Sequence, residues 1–134
     1  MGKIHIKPFK SAADNNIEMI MAAHLHCTCF DEKVIPASLS KNAIGYLRNS
    51  LNYSGIIISD DMVMKGVQDY GSVEACIMGI KAGIDMFIFR DADSKAIETI
   101  EELVRITQTD EELKSRIIES NNRIRKIKER FLIP

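Results

Sequence analysis

The sequence predicts an α/β fold: about three parallel strands joined by amphipathic helices, forming part of a larger (β/α) barrel. Short apolar runs alternate with longer amphipathic segments along the chain, the pattern of right-handed βαβ units. Two of the runs, Gly55-Ile56-Ile57-Ile58-Ser59 and Asp85-Met86-Phe87-Ile88-Phe89, are rich in β-branched or aromatic residues, as strands buried on both faces are. Three strands leave two bare sheet edges, whereas a barrel of this kind takes eight strands over ~250 residues. The 134 residues therefore read as one unit belonging to something larger.

The first apolar run lies within Ile17-Glu18-Met19-Ile20-Met21-Ala22-Ala23-His24. Its Glu, Met and Ala also suit a helix, and it is assigned as a strand by analogy with the other two. Ser38 or Ser40 is placed to cap a helix carrying Ile44, Leu47 and Leu51 on one face, with Pro36 just ahead of it. After the second strand, Ser72 is expected to cap a helix through Ala75, Ile77, Met78 and Ile80, which Gly83 ends in a left-handed conformation. After the third, residues from about Asp93 to Ile106 read as a further helix. Thr109-Asp110-Glu111-Glu112 then forms a capping box, in which the threonine oxygen and the glutamate bond reciprocal backbone amides. The helix it opens is expected to bury Leu113, Ile117, Ile124, Ile127 and Phe131 and to turn a charged face to solvent.

Composition excludes several function classes. The chain is 46% hydrophobic and 28% charged, which is globular rather than disordered. A net charge of −1 offers no electrostatic grip on nucleic acid or an anionic membrane. No apolar run approaches the ~20 residues needed to span a bilayer. Met1-Gly2-Lys3-Ile4-His5-Ile6 has no apolar signal core and lacks the Ser or Thr of a myristoylation motif. Three cysteines without a secretory signal favour free thiols in a reducing compartment. The expectation is a soluble cytoplasmic protein with neither nucleic-acid nor membrane partner.

Candidate chemistry sits at the end of the second strand, where Ser59 is followed by Asp60 and Asp61. In parallel α/β folds the βα loops converge at that end, and a carboxylate there can act as nucleophile, general base or metal ligand. The structural reading is that one of the pair caps the next helix or pairs with a neighbouring cation. A second cluster is His24-Leu25-His26-Cys27-Thr28-Cys29. Its spacing argues against zinc, because no second ligand pair exists beyond His5 and Cys76. On an extended strand His24 and His26 would share a face, giving at most a partial site. The other reading is a strand end with small buried thiols. No metal and no cofactor is expected. Met21 and Met64 lie near strand ends, where they can fill core or line a pocket.

Several stretches resemble bacterial family 3 glycoside hydrolases of the β-N-acetylhexosaminidase branch. Met21-Ala22-Ala23-His24 followed by Ile35-Pro36-Ala37-Ser38-Leu39-Ser40 is similar to that family's "M-x-A-H…P-A-T-L-S" stretch. Leu47-Arg48 through Tyr53-Ser54-Gly55-Ile56-Ile57-Ile58-Ser59-Asp60-Asp61-Met62-Val63-Met64 resembles its "L-R…G-F-x-G-V-x-x-S-D-D-L-x-M" segment. Ala82-Gly83-Ile84-Asp85-Met86 matches "A-G-x-D-M", and Pro8-Phe9 resembles the "P-F" that precedes them all. The order and spacing agree over nearly the whole chain.

The resemblance implies a partial TIM-like barrel, with residues 1–134 as the C-terminal part of the barrel domain. It implies a retaining hydrolase of β-linked N-acetylglucosamine, acting in peptidoglycan recycling, with an N-acetylglucosamine-containing saccharide as substrate. Asp60 takes the place of the nucleophile, and Met21, His24 and Met64 take places lining the sugar pocket. The family's acid/base lies on a "K-H-F-P-G-H-G-D" loop that has no counterpart in this sequence, and most of its sugar-gripping cations fall outside the matching stretches. The expectation is therefore a chain impaired alone. The alternative is a non-catalytic remnant, or the C-terminal subunit of a split enzyme that pairs with a separate N-terminal half or self-associates. A third reading makes Asp60, Asp61 and Asp85 a divalent-cation site in a small binding module.

Overall fold

The computed structural model describes residues 3–91 and 93–132. The Met1-Gly2 start and the outer limits of the 1–134 unit fall outside the described residues. The chain runs from α1 (Lys3–Asp14) into β1 (Met19–Ala22), then α2 (Lys41–Gly45), β2 (Ile56–Asp61), α3 (Lys65–Gln68), α4 (Ser72–Ala82), β3 (Met86–Ile88), α5 (Ser94–Ile106) and α6 (Glu111–Phe131). The strands form one parallel sheet in the order β1-β2-β3. This is the expected alternation, with all three strands where the apolar runs place them.

One face of the sheet carries the core. Ile20 and Ala22 of β1 and Ile57 of β2 pack with Ile44, Tyr53 and Ile84, and with Ala12 and Ala13 of α1. The other face is bare: Met19 and Met21 are 49% and 50% exposed. Because Met21 pairs with Ile58 and Ile58 with Met86, these three side chains share that face. A second core lies beyond β2, where Leu39, Met62, Val67, Ala75 and Cys76 meet.

Several helix boundaries differ from expectation for identifiable reasons. Helix α1, with Pro8 inside it, has no counterpart in the sequence reading. Ser40 is the cap of α2, accepting from the Ala43 amide at 2.9 Å. Regular α geometry stops at Gly45 and a wider π turn covers Tyr46–Ser50. From that turn Arg48 donates to the carbonyls of Tyr53, at 3.1 Å, and Gly55, at 2.6 Å. Gly71, not Ser72, precedes α4, and no side chain caps it. Gly83 ends α4 with φ of 121°, a conformation that suits glycine. Asp110 rather than Thr109 caps α6, accepting from the Leu113 amide at 2.9 Å. Thr109 instead turns its hydroxyl back to the Ile106 carbonyl. On α6, Leu113 is buried and Ile117, Ile124 and Ile127 are half-buried, while Phe131 is exposed. No helix among the described residues is long and apolar enough to cross a membrane.

Candidate active site

The carboxyl end of β2 is shaped by an irregularity in its pairing. Ile58 pairs with Met86 and Asp61 with Ile88, so β2 uses three steps where β3 uses two. The extra residue is a bulge, a device that re-aims side chains beside functional sites. Ser59 makes the bulge tolerable. It is wholly buried, and its hydroxyl accepts from the Ile88 amide at 3.2 Å. Asp60 follows immediately, inside the irregular stretch between Ile58 and Asp61.

The two aspartates have different surroundings. Asp60 is half-buried, and its Oδ1 accepts from the Asp61 amide at 2.8 Å. Among the described residues that is the carboxylate's only protein hydrogen bond, which leaves Oδ2 free to meet a substrate atom. Asp61 is committed inward. Its Oδ1 accepts from the amides of Val63 and Arg90, each at 3.1 Å, and the Arg90 guanidinium lies 4.0 Å from Oδ2. The Val63 amide bond above all, helped by Arg90, holds the Asp61 carboxyl below the usual carboxylate range. Adjacent in sequence, one carboxylate is presented and the other is structural.

His24 lies past the end of β1, nearly buried at 9% exposure. Its Nε2 is 3.1 Å from the Asp61 carbonyl, and its Nδ1 is 2.6 Å from Ser38 Oγ. The carbonyl can only accept, so Nε2 carries a proton and donates. Gly66, in α3, backs the His24 main chain so closely that a Cβ there would lie 2.8 Å from the His24 carbonyl oxygen. Met21 and Met64, 50% and 45% exposed, present sulfur-bearing side chains at the ends of β1 and of the loop after β2. Met21 also lines an apolar cavity of about 170 Å³ with Phe9 of α1 and with Leu25, Phe30 and Tyr46.

The histidine–cysteine cluster does not assemble. His26 Nε2 bonds the Asp31 carbonyl at 3.1 Å, Cys27 is half-buried and Cys29 is exposed, so the picture of small buried thiols at a strand end is corrected. Among the described residues, no three of His, Cys, Asp and Glu gather in a way that could hold a metal ion. Asp85 likewise leaves the cation reading. It stands at the root of β3, its amide donating to the Ile57 carbonyl at 2.8 Å near the start of β2. Asp60 lies three residues further along β2, roughly 10 Å away at ~3.3 Å per residue. The Asp85 carboxylate is wholly buried and accepts from Arg48, from Arg123 at 3.0 Å, from the Ser120 hydroxyl at 2.8 Å and from the Ile57 amide at 2.9 Å. Two guanidiniums leave it no charge to offer a cation.

Comparison with known proteins bears on the family and the fold. The chain is 35% identical over 95 residues to a beta-hexosaminidase of Nitrosomonas eutropha, covering 69% of this chain and 27% of that protein. It is 35% identical over 101 residues to the beta-hexosaminidase of Photobacterium profundum, covering 73% and 30%. The chain thus spans less than a third of the length of these curated relatives. The crystal structure of a beta-N-acetylhexosaminidase from Beutenbergia cavernae superposes with a TM-score of 0.84 at 22% identity, over 92% of this chain and 37% of that one. At that identity the likeness speaks for the fold: three parallel strands and their helices as part of a TIM-like barrel. The model of the glycosyl hydrolase family 3 N-terminal domain matches residues 1–127. A bulged strand ending in a presented aspartate, on a partial (β/α) barrel matched over almost its full length, makes this chain a member of glycoside hydrolase family 3.

Proposed function

We propose that the chain, as the C-terminal part of a family 3 barrel domain, carries the nucleophile of a retaining β-N-acetylhexosaminidase that acts on N-acetylglucosamine-containing saccharides in peptidoglycan recycling in the cytoplasm. The observation that supports this best is the Asp60 carboxylate, held through one oxygen by the Asp61 amide and free at the other. In this reading Asp60 attacks the anomeric carbon, while Met21, Met64 and the edge of His24 wall the sugar. Retention takes a second group ~5–5.5 Å away that protonates the departing oxygen. The sequence has no stretch like the family's acid/base loop. General acid catalysis is commonly worth ~10²–10⁴-fold, so turnover of a natural saccharide by the chain alone is expected to be weak.

The bare sheet face favours a second reading, in which a separate N-terminal half covers Met19 and Met21 and supplies the acid. One assay serves both: nitrophenol release from an aryl β-N-acetylglucosaminide by the chain and by Asp60→Ala. An aryl leaving group needs little acid help, so release that depends on Asp60 supports the nucleophile. Equal background rates in both proteins, with the chain folded by circular dichroism, overturn it. Adding the N-terminal half of a relative and restoring turnover of a natural disaccharide would support the split form.

A further inference from the structure

We propose that His24 and Ser38 form a buried clamp that positions Asp60 through the backbone of Asp61, a role separate from any contact of the His24 ring edge with the sugar. The clamp rests on the reading of Asp60 as nucleophile for its consequence, but not for its existence.

Neither ring nitrogen of His24 is left for a ligand. Nε2–H donates to the Asp61 carbonyl, and Nδ1, unprotonated in the neutral ring, accepts from the Ser38 hydroxyl at 2.6 Å. Ser38 is wholly buried, on the short 3-10 turn Ala37–Leu39, and its own amide bonds the Ala23 carbonyl at 3.3 Å. The Asp61 carbonyl, which can only accept, fixes the tautomer, and the Ser38 hydroxyl satisfies and holds the remaining ring nitrogen. The peptide that His24 grips is held from its far side too. The Asp61 carbonyl and the Met62 amide belong to one peptide plane, and the Met62 amide donates to the Ile88 carbonyl of β3 at 2.8 Å. That plane is pinned between the loop after β1 and the last residue of β3. The preceding plane carries the Asp61 amide, which holds Asp60 Oδ1. A continuous chain of hydrogen bonds therefore runs from Ser38 through His24 and Asp61 to the presented carboxylate.

A bulge frees Asp60 from regular pairing and gives it a new aim, but it also removes ladder bonds that would hold that aim. The clamp supplies the missing constraint. Misplacement of a reacting group by about 1 Å can cost ~10²-fold in rate, so such a constraint has a measurable catalytic effect.

The first measurement uses the unaltered chain. Nitrogen-15 NMR of the His24 ring is expected to show a protonated Nε2 and an unprotonated Nδ1; a neutral ring protonated at Nδ1 instead would overturn the clamp. The second compares amide hydrogen exchange in the chain with Ser38→Ala and His24→Gln. In Ser38→Ala the Asp61 amide is expected to exchange roughly 3–10-fold faster, the equivalent of one hydrogen bond's net contribution. The Ile57 amide, bonded to Asp85 near the other end of β2, should be unchanged. His24→Gln, whose side-chain amide can still donate to the Asp61 carbonyl, is expected to protect Asp61 better than His24→Ala. Equal acceleration at Asp61 and Ile57, or none at Asp61, overturns the proposal. With the aryl substrate, Ser38→Ala is expected to lower kcat while leaving KM unchanged. Should Asp60→Ala match the parent chain in that assay while Asp61 exchange still responds to Ser38→Ala, the clamp stands and the nucleophile reading falls.

Discussion

Arg123, on the last helix, donates from Nη1 to Asp85 Oδ1 at 3.0 Å, tying α6 to the root of β3. Arg48, from the turn after α2, takes the other oxygen, and Ser120 and the Ile57 amide complete the carboxylate's partners. One side chain thus joins the root of β3 to the start of β2, the turn after α2 and the middle of α6. Burial lowers the pKa of Arg48, opposed chiefly by the charge of Asp85. Removing one member of a buried ion cluster strands the others. Asp85→Asn is expected to lower unfolding free energy by about 3–5 kcal/mol, read by urea denaturation. A loss below about 1 kcal/mol would show that the two arginines find solvent once the carboxylate has gone.

Asp85 also shows what could be read from residues alone. Its place at the start of a strand was legible from the apolar run that follows, although that run predicts burial on both faces and the residues of β3 are only half-buried. Its role was not, because its partners lie 28 to 38 positions away. The same holds for the site. Asp60 and Asp61 could be singled out as a pair, but which is presented depends on the Val63 and Arg90 amides and on a bulge defined by a neighbouring strand. Helix α1 escaped notice because Pro8 stands inside it and the apolar residues of its first half alternate with polar ones, a period-two pattern. Its packing of Ala12 and Ala13 against the sheet core overrides that local signal. The capping shift from Thr109 to Asp110 is smaller: either residue type caps, and only the geometry of the turn decides.

Gly66 offers a test in which two effects oppose. It lies in α3, where alanine normally favours the helix by about 1 kcal/mol over glycine. Here a Cβ would meet the His24 carbonyl oxygen at 2.8 Å and His24 Cβ at 2.9 Å, both on or next to backbone with little room to move. Gly66→Ala is expected to be destabilising despite the helix preference, and to speed exchange of the Asp61 amide as the His24 backbone and Cβ are pushed aside. A stabilised protein with unchanged exchange would show that the loop after β2 adapts.

The three thiols are expected to separate by reactivity. Cys76 is buried in α4, and burial pushes its pKa up to about 12, so almost no thiolate exists at neutral pH. Cys29 is exposed and Cys27 half-buried in the loop after β1. Titration with iodoacetamide, followed by mass spectrometry, should label Cys29 first, Cys27 more slowly and Cys76 only in denaturant. Early labelling of Cys76 would mean that α4 opens from the second core under native conditions.

Acid should weaken the fold through particular carboxylates. Asp61 titrates below its ordinary range because it accepts amide bonds from Val63 and Arg90. Asp110 does so because Lys81 lies 2.7 Å away and the Leu113 amide bonds it. A carboxyl with a lowered pKa in the folded state binds fewer protons there than when unfolded. Its contribution is therefore fully present above the unfolded value, near pH 4 on the usual scale, and is lost as pH falls through the lower folded value. Thermal midpoints are expected to be level from about pH 7 to 5 and to drop below about pH 4. In Asp110→Asn the side chain still caps α6 but cannot titrate, so the drop should be shallower than in the parent. An equal drop in both would assign the acid sensitivity to Asp61 and the remaining carboxylates, and Asp61→Asn would then be the variant that flattens it.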